Sequence, residues 1–108
     1  MESDIKILLN LFNTAKFGLV ISKTKKLIKK KPEYLILYNL LGSAYQNLGE
    51  YNLAKNIFIK GNKMDPNNIA IMNNLANIYK NTGEIELAEN LFNKIIQKKP
   101  DYINAYVN

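Results

Sequence analysis

The chain has 108 residues with 47% hydrophobic content, a composition typical of one compact region that buries roughly two thirds of its unfolded surface. It contains no cysteine and no histidine, which excludes a disulfide framework, a thiolate zinc site and the usual nucleophile-plus-base pair. The formal net charge is +6, and all 15 basic residues are lysines. Lysine, asparagine and isoleucine share adenine- and thymine-rich codons, so genome composition competes with function as the explanation of this charge.

The N-terminal segment lacks the features of a secretion signal. Glu2 and Asp4 are acidic where a basic leader is needed, and Asn10 interrupts the apolar run at residues 7–9. No stretch is long and apolar enough for a transmembrane helix. The sequence therefore predicts a cytoplasmic protein without a membrane span, and its composition indicates a bacterial source.

Residues 1–34 predict a first helical hairpin whose opening helix is apolar on more than one side. A helix with one neighbour cannot bury all of its apolar side chains, so this helix offers either an apolar pocket and self-association surface or a cap folded over its partner helix. Ile5, Leu9 and Phe12 would lie on the side that continues the inner surface of the array. The apolar residues of this helix are Ile5, Ile7, Leu8, Leu9, Leu11 and Phe12.

The second helix of this hairpin carries a run of lysines. Such a run predicts a docking patch for anionic partners, or a solvated face whose cations also favour the C-terminal end of the helix dipole. The absence of arginine and of interleaved aromatic residues argues against nucleic acid. The run consists of Lys23, Lys25, Lys26, Lys29, Lys30 and Lys31.

Residues 35–68 and 69–102 repeat each other position by position. Pro32, Pro66 and Pro100 are 34 residues apart, and apolar residues in both windows follow helical spacing. A 34-residue period is typical of a helical-hairpin repeat. Gly49 and Gly83 stand where the first helix of each hairpin must end in a left-handed turn. The segment at residues 65–68, Asp-Pro-Asn-Asn, supplies a stop and a cap between units.

This pattern resembles the tetratricopeptide repeat family, with Tyr38 in place of the family's tryptophan. Residues 35–68 and 69–102 each match a whole repeat, with one exception at Ile95, where a small residue is preferred. We interpret residues 1–34 as a degenerate capping repeat and residues 103–108 as the start of a truncated fourth repeat. The resemblance implies an all-α, right-handed superhelix of about three hairpins. The residues that carry it are Tyr38, Leu41, Gly42, Tyr45, Gly49, Ala54, Phe58, Pro66, Leu75, Ala76, Tyr79, Gly83, Ala88, Phe92 and Pro100.

In this family the first helices of the repeats line a concave groove that takes extended peptides, and here the groove is rich in carboxamides. A carboxamide pairs with both the C=O and the N–H of a peptide unit, which reads backbone rather than side chains. The resemblance implies a protein-binding scaffold with a peptide or another protein as its partner. The groove residues are Asn39, Ser43, Gln46, Asn47, Asn73, Asn74, Asn77, Lys80 and Asn81, with Ile36, Leu40 and Ala70 on the same face.

The groove is similar to the asparagine ladder of the repeat domain of O-linked N-acetylglucosamine transferase. Asn74 and Asn108 match the ladder position, whereas Leu40 and Lys6 do not, and a general abundance of asparagine explains the same residues. The basic clamp of chaperone-binding members is not matched, because Ile5 and Leu9 occupy positions that require lysine and asparagine.

The sequence ends inside the first helix of a fourth repeat, which favours a second interpretation. Bacterial proteins with this resemblance often carry a glycosyltransferase or sulfotransferase domain downstream, so the chain is alternatively the N-terminal part of a larger enzyme.

We also expect uncovered apolar surface on the last complete helix, and hence self-association through that end or through the first helix. The residues expected to be uncovered are Ile85, Leu91, Ile95 and Ile96.

Catalysis within the chain has little support. Glu84, Glu86 and Glu89 form the one carboxylate cluster, in the first turns of a helix where dipole and solvent explain them. The sequence predicts no catalytic residue, metal site or cofactor.

Overall fold

Six α-helices joined by short turns make up residues 1–99, the part of the chain that the computed structural model describes. This range contains no β-strand. Consecutive helices pair as three hairpins, which confirms the predicted all-α solenoid of helix-turn-helix units. The helices are α1 (Glu2–Asn13), α2 (Phe17–Lys30), α3 (Leu35–Asn47), α4 (Tyr51–Met64), α5 (Ile69–Asn81) and α6 (Ile85–Lys98).

The turns inside the second and third hairpins have the predicted left-handed geometry. Gly49 has a φ of 78° and Gly83 a φ of 82°. The residue after each glycine donates its N–H to the carbonyl five residues back, at 2.9 Å in the second hairpin and 2.7 Å in the third. These bonds satisfy carbonyl groups that the helix end leaves without an intrahelical partner.

The first hairpin makes the same turn with alanine. Ala15 lies 34 residues before Gly49 and has a φ of 59°. The N–H of Lys16 donates to the carbonyl of Leu11 at 2.8 Å, which repeats the hydrogen bond of the two glycine turns. Because a Cβ atom makes this backbone region unfavourable, the first hairpin holds its turn under local strain. The 34-residue period identifies the position, but a left-handed turn at Ala15 was not predicted from the sequence.

Each junction between hairpins is a short extended turn around a proline. The N–H of Ile71 donates to the Asn68 Oδ1 at 3.0 Å, which caps the start of α5. The N–H of Asn67 donates to the Asp65 Oδ1 at 3.2 Å. This confirms residues 65–68 as a stop and cap. At the previous junction, the Tyr38 hydroxyl donates to the Pro32 carbonyl at 2.8 Å and ties α3 to the preceding turn.

Small residues let the helices of a hairpin approach closely. A Cβ atom on Gly42 would clash with the buried Phe58 ring, so α3 and α4 pack at a distance that only glycine allows there. The third hairpin places Ala76 and Phe92 at the equivalent positions, both buried. Most of the predicted repeat residues form the core. The buried ones are Tyr38, Leu41, Gly42, Tyr45, Ala54, Phe58, Leu75, Ala76, Ala88 and Phe92, with Tyr79 half-buried.

The hairpins stack so that their first helices form one face. Helix α3 contacts both α1 and α5. Within residues 1–99, the second helices of the hairpins (α2, α4 and α6) do not contact one another as extensively. Helices α1, α3 and α5 therefore form an inner face, and α2, α4 and α6 spread apart on an outer face. Helix α3 also packs against α2, and α5 against α4, which joins successive hairpins.

The expectation of uncovered apolar surface along α6 is wrong for two of its four residues. Leu91 is 8% exposed and Ile95 is fully buried in the main core cluster, while Ile96 is half-buried and Ile85 remains exposed. Ile95 therefore packs as a core residue despite its size. Pro100 and the predicted start of a fourth repeat at residues 103–108 lie outside the described residues.

Candidate functional site

Most of the predicted groove residues lie on the inner face of α3 and α5 and are either exposed or half-buried. Asn47, Lys80 and Asn81 are exposed. Contact between α3 and α5 brings the two rows together, although the residues come from different hairpins. The half-buried members are Asn39, Ser43, Gln46, Asn74 and Asn77.

Two of the predicted groove residues bind each other. The Asn74 Nδ2 donates to the Asn39 Oδ1 across the α3–α5 contact. This hydrogen bond links the amides of neighbouring hairpins, so each has already used one polar group within the fold. The Asn39 Nδ2 and the Asn74 Oδ1 are the groups left for other partners.

Asn73 was predicted to line the groove, but its side chain is buried. Asn73 is 8% exposed, and its Oδ1 has no hydrogen-bond partner among residues 1–99. Removing this amide would change a packed environment as well as a polar group. Asn73 is therefore unsuitable for a test of peptide binding, in contrast to Asn77 four residues later.

Asn47 is exposed but engaged with its own helix. Its Nδ2 donates to the Ser43 carbonyl at 2.8 Å, which satisfies one carbonyl in the last turn of α3. The Asn47 side chain retains its oxygen as an acceptor.

Apolar residues on the inner face divide into core and surface. Leu40 is buried in the N-terminal core cluster, and Ile5 and Phe12 pack against the same cluster. Ile36, Leu9 and Ala70 are exposed. Helix α1 therefore packs against its neighbours through Ile5 and Phe12, while Ile7 and Leu9 remain exposed.

One member of the predicted carboxylate cluster, Glu84 at the start of α6, binds other side chains of the fold. The Lys55 Nζ lies 2.8 Å from the Glu84 Oε2, and the Thr82 hydroxyl donates to the same oxygen at 2.7 Å. The hydrogen bond from Lys55 lowers the pKa of Glu84, and the bond from Thr82 lowers it further. Burial raises the pKa of the neighbouring Tyr79 hydroxyl. Of the three carboxylates, Glu84 makes a structural ion pair with the neighbouring helix α4, whereas Glu86 and Glu89 are exposed.

The lysine run lies on α2 and just after it, with all six side chains exposed. Lys60 on α4 lies around the same pocket as three lysines of this run, a proximity that was not predicted from the sequence. No helix within residues 1–99 is long and apolar enough to cross a membrane.

The stacked hairpins and their glycine turns define a helical-repeat protein. The tetratricopeptide repeat family model matches residues 48–107, more than half of the chain, and the chain belongs to that family. Comparison with curated protein sequences gives no match.

Solved structures share the fold at low sequence identity. The first tetratricopeptide repeat domain of Spaghetti (RPAP3), bound to the HSP90 peptide SRMEEVD, is 15% identical with a TM-score of 0.89, covering 94% of this chain and 80% of that one. The tetratricopeptide repeat domain of Arabidopsis OM64 is 14% identical with a TM-score of 0.90, covering 98% and 88%. The type III secretion translocator chaperone SycD of Yersinia enterocolitica is 20% identical with a TM-score of 0.86, covering 98% and 83%.

Proposed function

We propose that the chain binds an extended polypeptide along the inner face of α3 and α5. The observation that carries this proposal is a set of amide and hydroxyl side chains, exposed or half-buried, that spans two consecutive hairpins on one face. The proposal assigns the chain a binding role rather than a catalytic one.

The chemistry of this face suits recognition of a peptide backbone. Each carboxamide offers a donor and an acceptor side by side, matching the C=O and N–H of one peptide unit. A single contact of this kind contributes only about 0.5–1.5 kcal/mol, so several must act together. The Asn39–Asn74 hydrogen bond removes two polar groups from this set. We therefore assign most of the contacts with the peptide backbone to Gln46, Asn77 and Asn81, with Lys80 beside them.

Two structural neighbours support a binding role for this architecture. One holds an HSP90 peptide, and another is a translocator chaperone. The identities of 15% and 20% extend this support to the fold and not to the identity of a partner. Ile5 and Leu9 also differ from the basic clamp of chaperone-binding members, so we propose backbone reading rather than capture of an acidic C-terminus.

The test replaces Gln46, Asn77 and Asn81 together by alanine. Twelve-residue peptides are first selected from a random displayed library on the wild-type protein, and their affinities for both proteins are then measured by fluorescence anisotropy. We expect binding to weaken at least about five-fold in the variant, because up to three net contacts are lost. Since none of the three side chains is buried, the melting temperature should change little.

The matched control replaces Asn52, Asn56 and Asn90 by alanine. These asparagines are exposed and lie on α4 and α6, the second helices. The control should bind the selected peptides like wild type. Equal affinity of wild type and the inner-face variant for every selected peptide would show that the binding surface lies elsewhere.

A further inference from the structure

A pocket of about 410 Å³ opens on the outer face, in the gap where α2 and α4 spread apart above α3. Its apolar lining comes from three helices, with Ile28 on α2, Tyr38 and Leu41 on α3, and Ile57 on α4. Its volume lies in the range of small-molecule sites, which reaches from about 300 to 1,000 Å³. The pocket is on the opposite side of the array from the proposed peptide face.

Four lysines surround this apolar lining. Lys25, Lys26 and Lys29 come from the lysine run of α2, and Lys60 comes from α4. The Lys60 Nζ lies 5.7 Å from the centre of the Tyr38 ring, and the Lys25 Nζ lies 5.9 Å from that of Tyr45. Attraction between an ammonium group and an aromatic face helps to keep both charges near the pocket.

The charge at this site is uncompensated within the described residues. Neither Phe17–Lys30 nor Tyr51–Met64 contains an aspartate or glutamate. The ion pairs of residues 1–99 are Met1 with Asp4 and Lys55 with Glu84, so none of the four pocket lysines pairs with a carboxylate there. Four ammonium groups around one apolar pocket repel one another, and an anion in their midst would relieve that repulsion.

We infer that this pocket is a second binding site, which takes a small organic anion with an apolar body. The apolar part of the ligand would rest on Ile28 and Ile57, which are half-buried and retain surface to cover. Its carboxylate would face Lys25, Lys29 and Lys60 at the rim. Charge complementarity selects the anion, and the apolar lining selects against fully hydrated inorganic anions.

The probe is decanoate, used below its micelle concentration, with amide chemical shifts of the full chain followed by NMR. We expect saturable shifts concentrated in α2, α4 and the facing side of α3, and an affinity that falls as salt is added. Decanol and decyltrimethylammonium have the same chain without the negative charge. Both should bind at least about five-fold more weakly than decanoate, because the attraction to the lysines is lost.

Two triple variants with the same change in net charge separate the site from a general charge effect. Replacing Lys25, Lys29 and Lys60 by glutamine should weaken decanoate binding at least about five-fold. Replacing Lys63, Lys94 and Lys99 by glutamine should leave it unchanged, because these exposed lysines do not line the pocket. All six side chains are exposed, so both variants should fold, and circular dichroism checks this.

Several outcomes would overturn the proposal. These are the absence of saturable shifts, an equal loss in both triple variants, and binding of decyltrimethylammonium as tight as that of decanoate. A tetraglutamate peptide that binds the same lysines as tightly as decanoate would show a purely electrostatic surface for acidic proteins. Phosphatidylglycerol vesicles that bind wild type strongly, without competition from decanoate, would assign the lysines to a membrane surface instead.

Discussion

At the scale of single residues, the turn of each hairpin depends on one left-handed position. Glycine fills it at residues 49 and 83, and Ala15 fills it in the first hairpin with a φ of 59°. A left-handed conformation costs a residue with a Cβ atom about 1–2 kcal/mol relative to its usual regions. The first hairpin therefore carries strain that its two neighbours avoid.

We expect Ala15→Gly to stabilise the protein. Relief of about 1–2 kcal/mol of strain outweighs the extra entropy that glycine gives the unfolded chain, about 0.4–1 kcal/mol. The free energy of unfolding, measured by urea denaturation, should rise by up to about 1.5 kcal/mol. The reverse changes Gly49→Ala and Gly83→Ala should lower it by a similar amount, and Gly83→Val by more because valine is β-branched. A lower stability for Ala15→Gly would contradict the account of the turn.

At the scale of helices, one ion pair joins the second hairpin to the third. Lys55 on α4 binds Glu84, which lies directly before α6, and Thr82 holds the same carboxylate from the intervening turn. The place of Lys55 is taken by Ile21 in the preceding hairpin, 34 residues earlier. Within residues 1–99, this ion pair therefore joins the second and third hairpins and has no counterpart between the first and second.

This link predicts a pH dependence that Glu84→Gln should reduce. The pKa of Glu84 is lower in the folded protein than in the unfolded chain, where glutamate titrates near about 4.3. Its stabilising effect is therefore fully present above that value and disappears as the pH falls through the lower, folded pKa. Thermal melts between about pH 7 and pH 3 should show the stability gap between wild type and Glu84→Gln closing on acidification. For Glu86→Gln, where the carboxylate is exposed and unpaired within residues 1–99, the gap should change much less.

At the scale of the whole molecule, the features that recur with the 34-residue period could be predicted from the sequence. The hairpins, the two glycine turns and the cap at Asn68 depend on residues close together in the chain, and the structure confirms them. Ala15 was missed even though the same period marks its place. The burial of Asn73 and Ile95 depends on how neighbouring helices pack, which a helical register does not specify.

The candidate sites were predictable to different degrees. The amide row on α3 and α5 follows directly from the repeat register, but the bond between Asn39 and Asn74 requires the distance between two hairpins. The pocket on the outer face joins Lys25 to Lys60, which are 35 residues apart on helices that spread away from each other. The run of lysines in the sequence indicated a positively charged surface. It did not indicate the apolar lining that makes the pocket selective.

We expect α1 to open before α3 and α5, because it buries fewer residues than either of them. Leu8 is the one buried residue of α1, whereas α3 buries seven, and α1 has only α2 and part of α3 as neighbours within residues 1–99. Amide hydrogens exchange through the least costly opening that exposes them, so those of α1 should exchange with deuterium well before those of α3 and α5. Mass spectrometry of peptic fragments measures this order, and equally slow exchange in α1 and α3 would contradict it. Each such opening would uncover Leu37 and Leu40, which share the N-terminal core cluster with Leu8, so α1 would act as a reversible cover on that cluster.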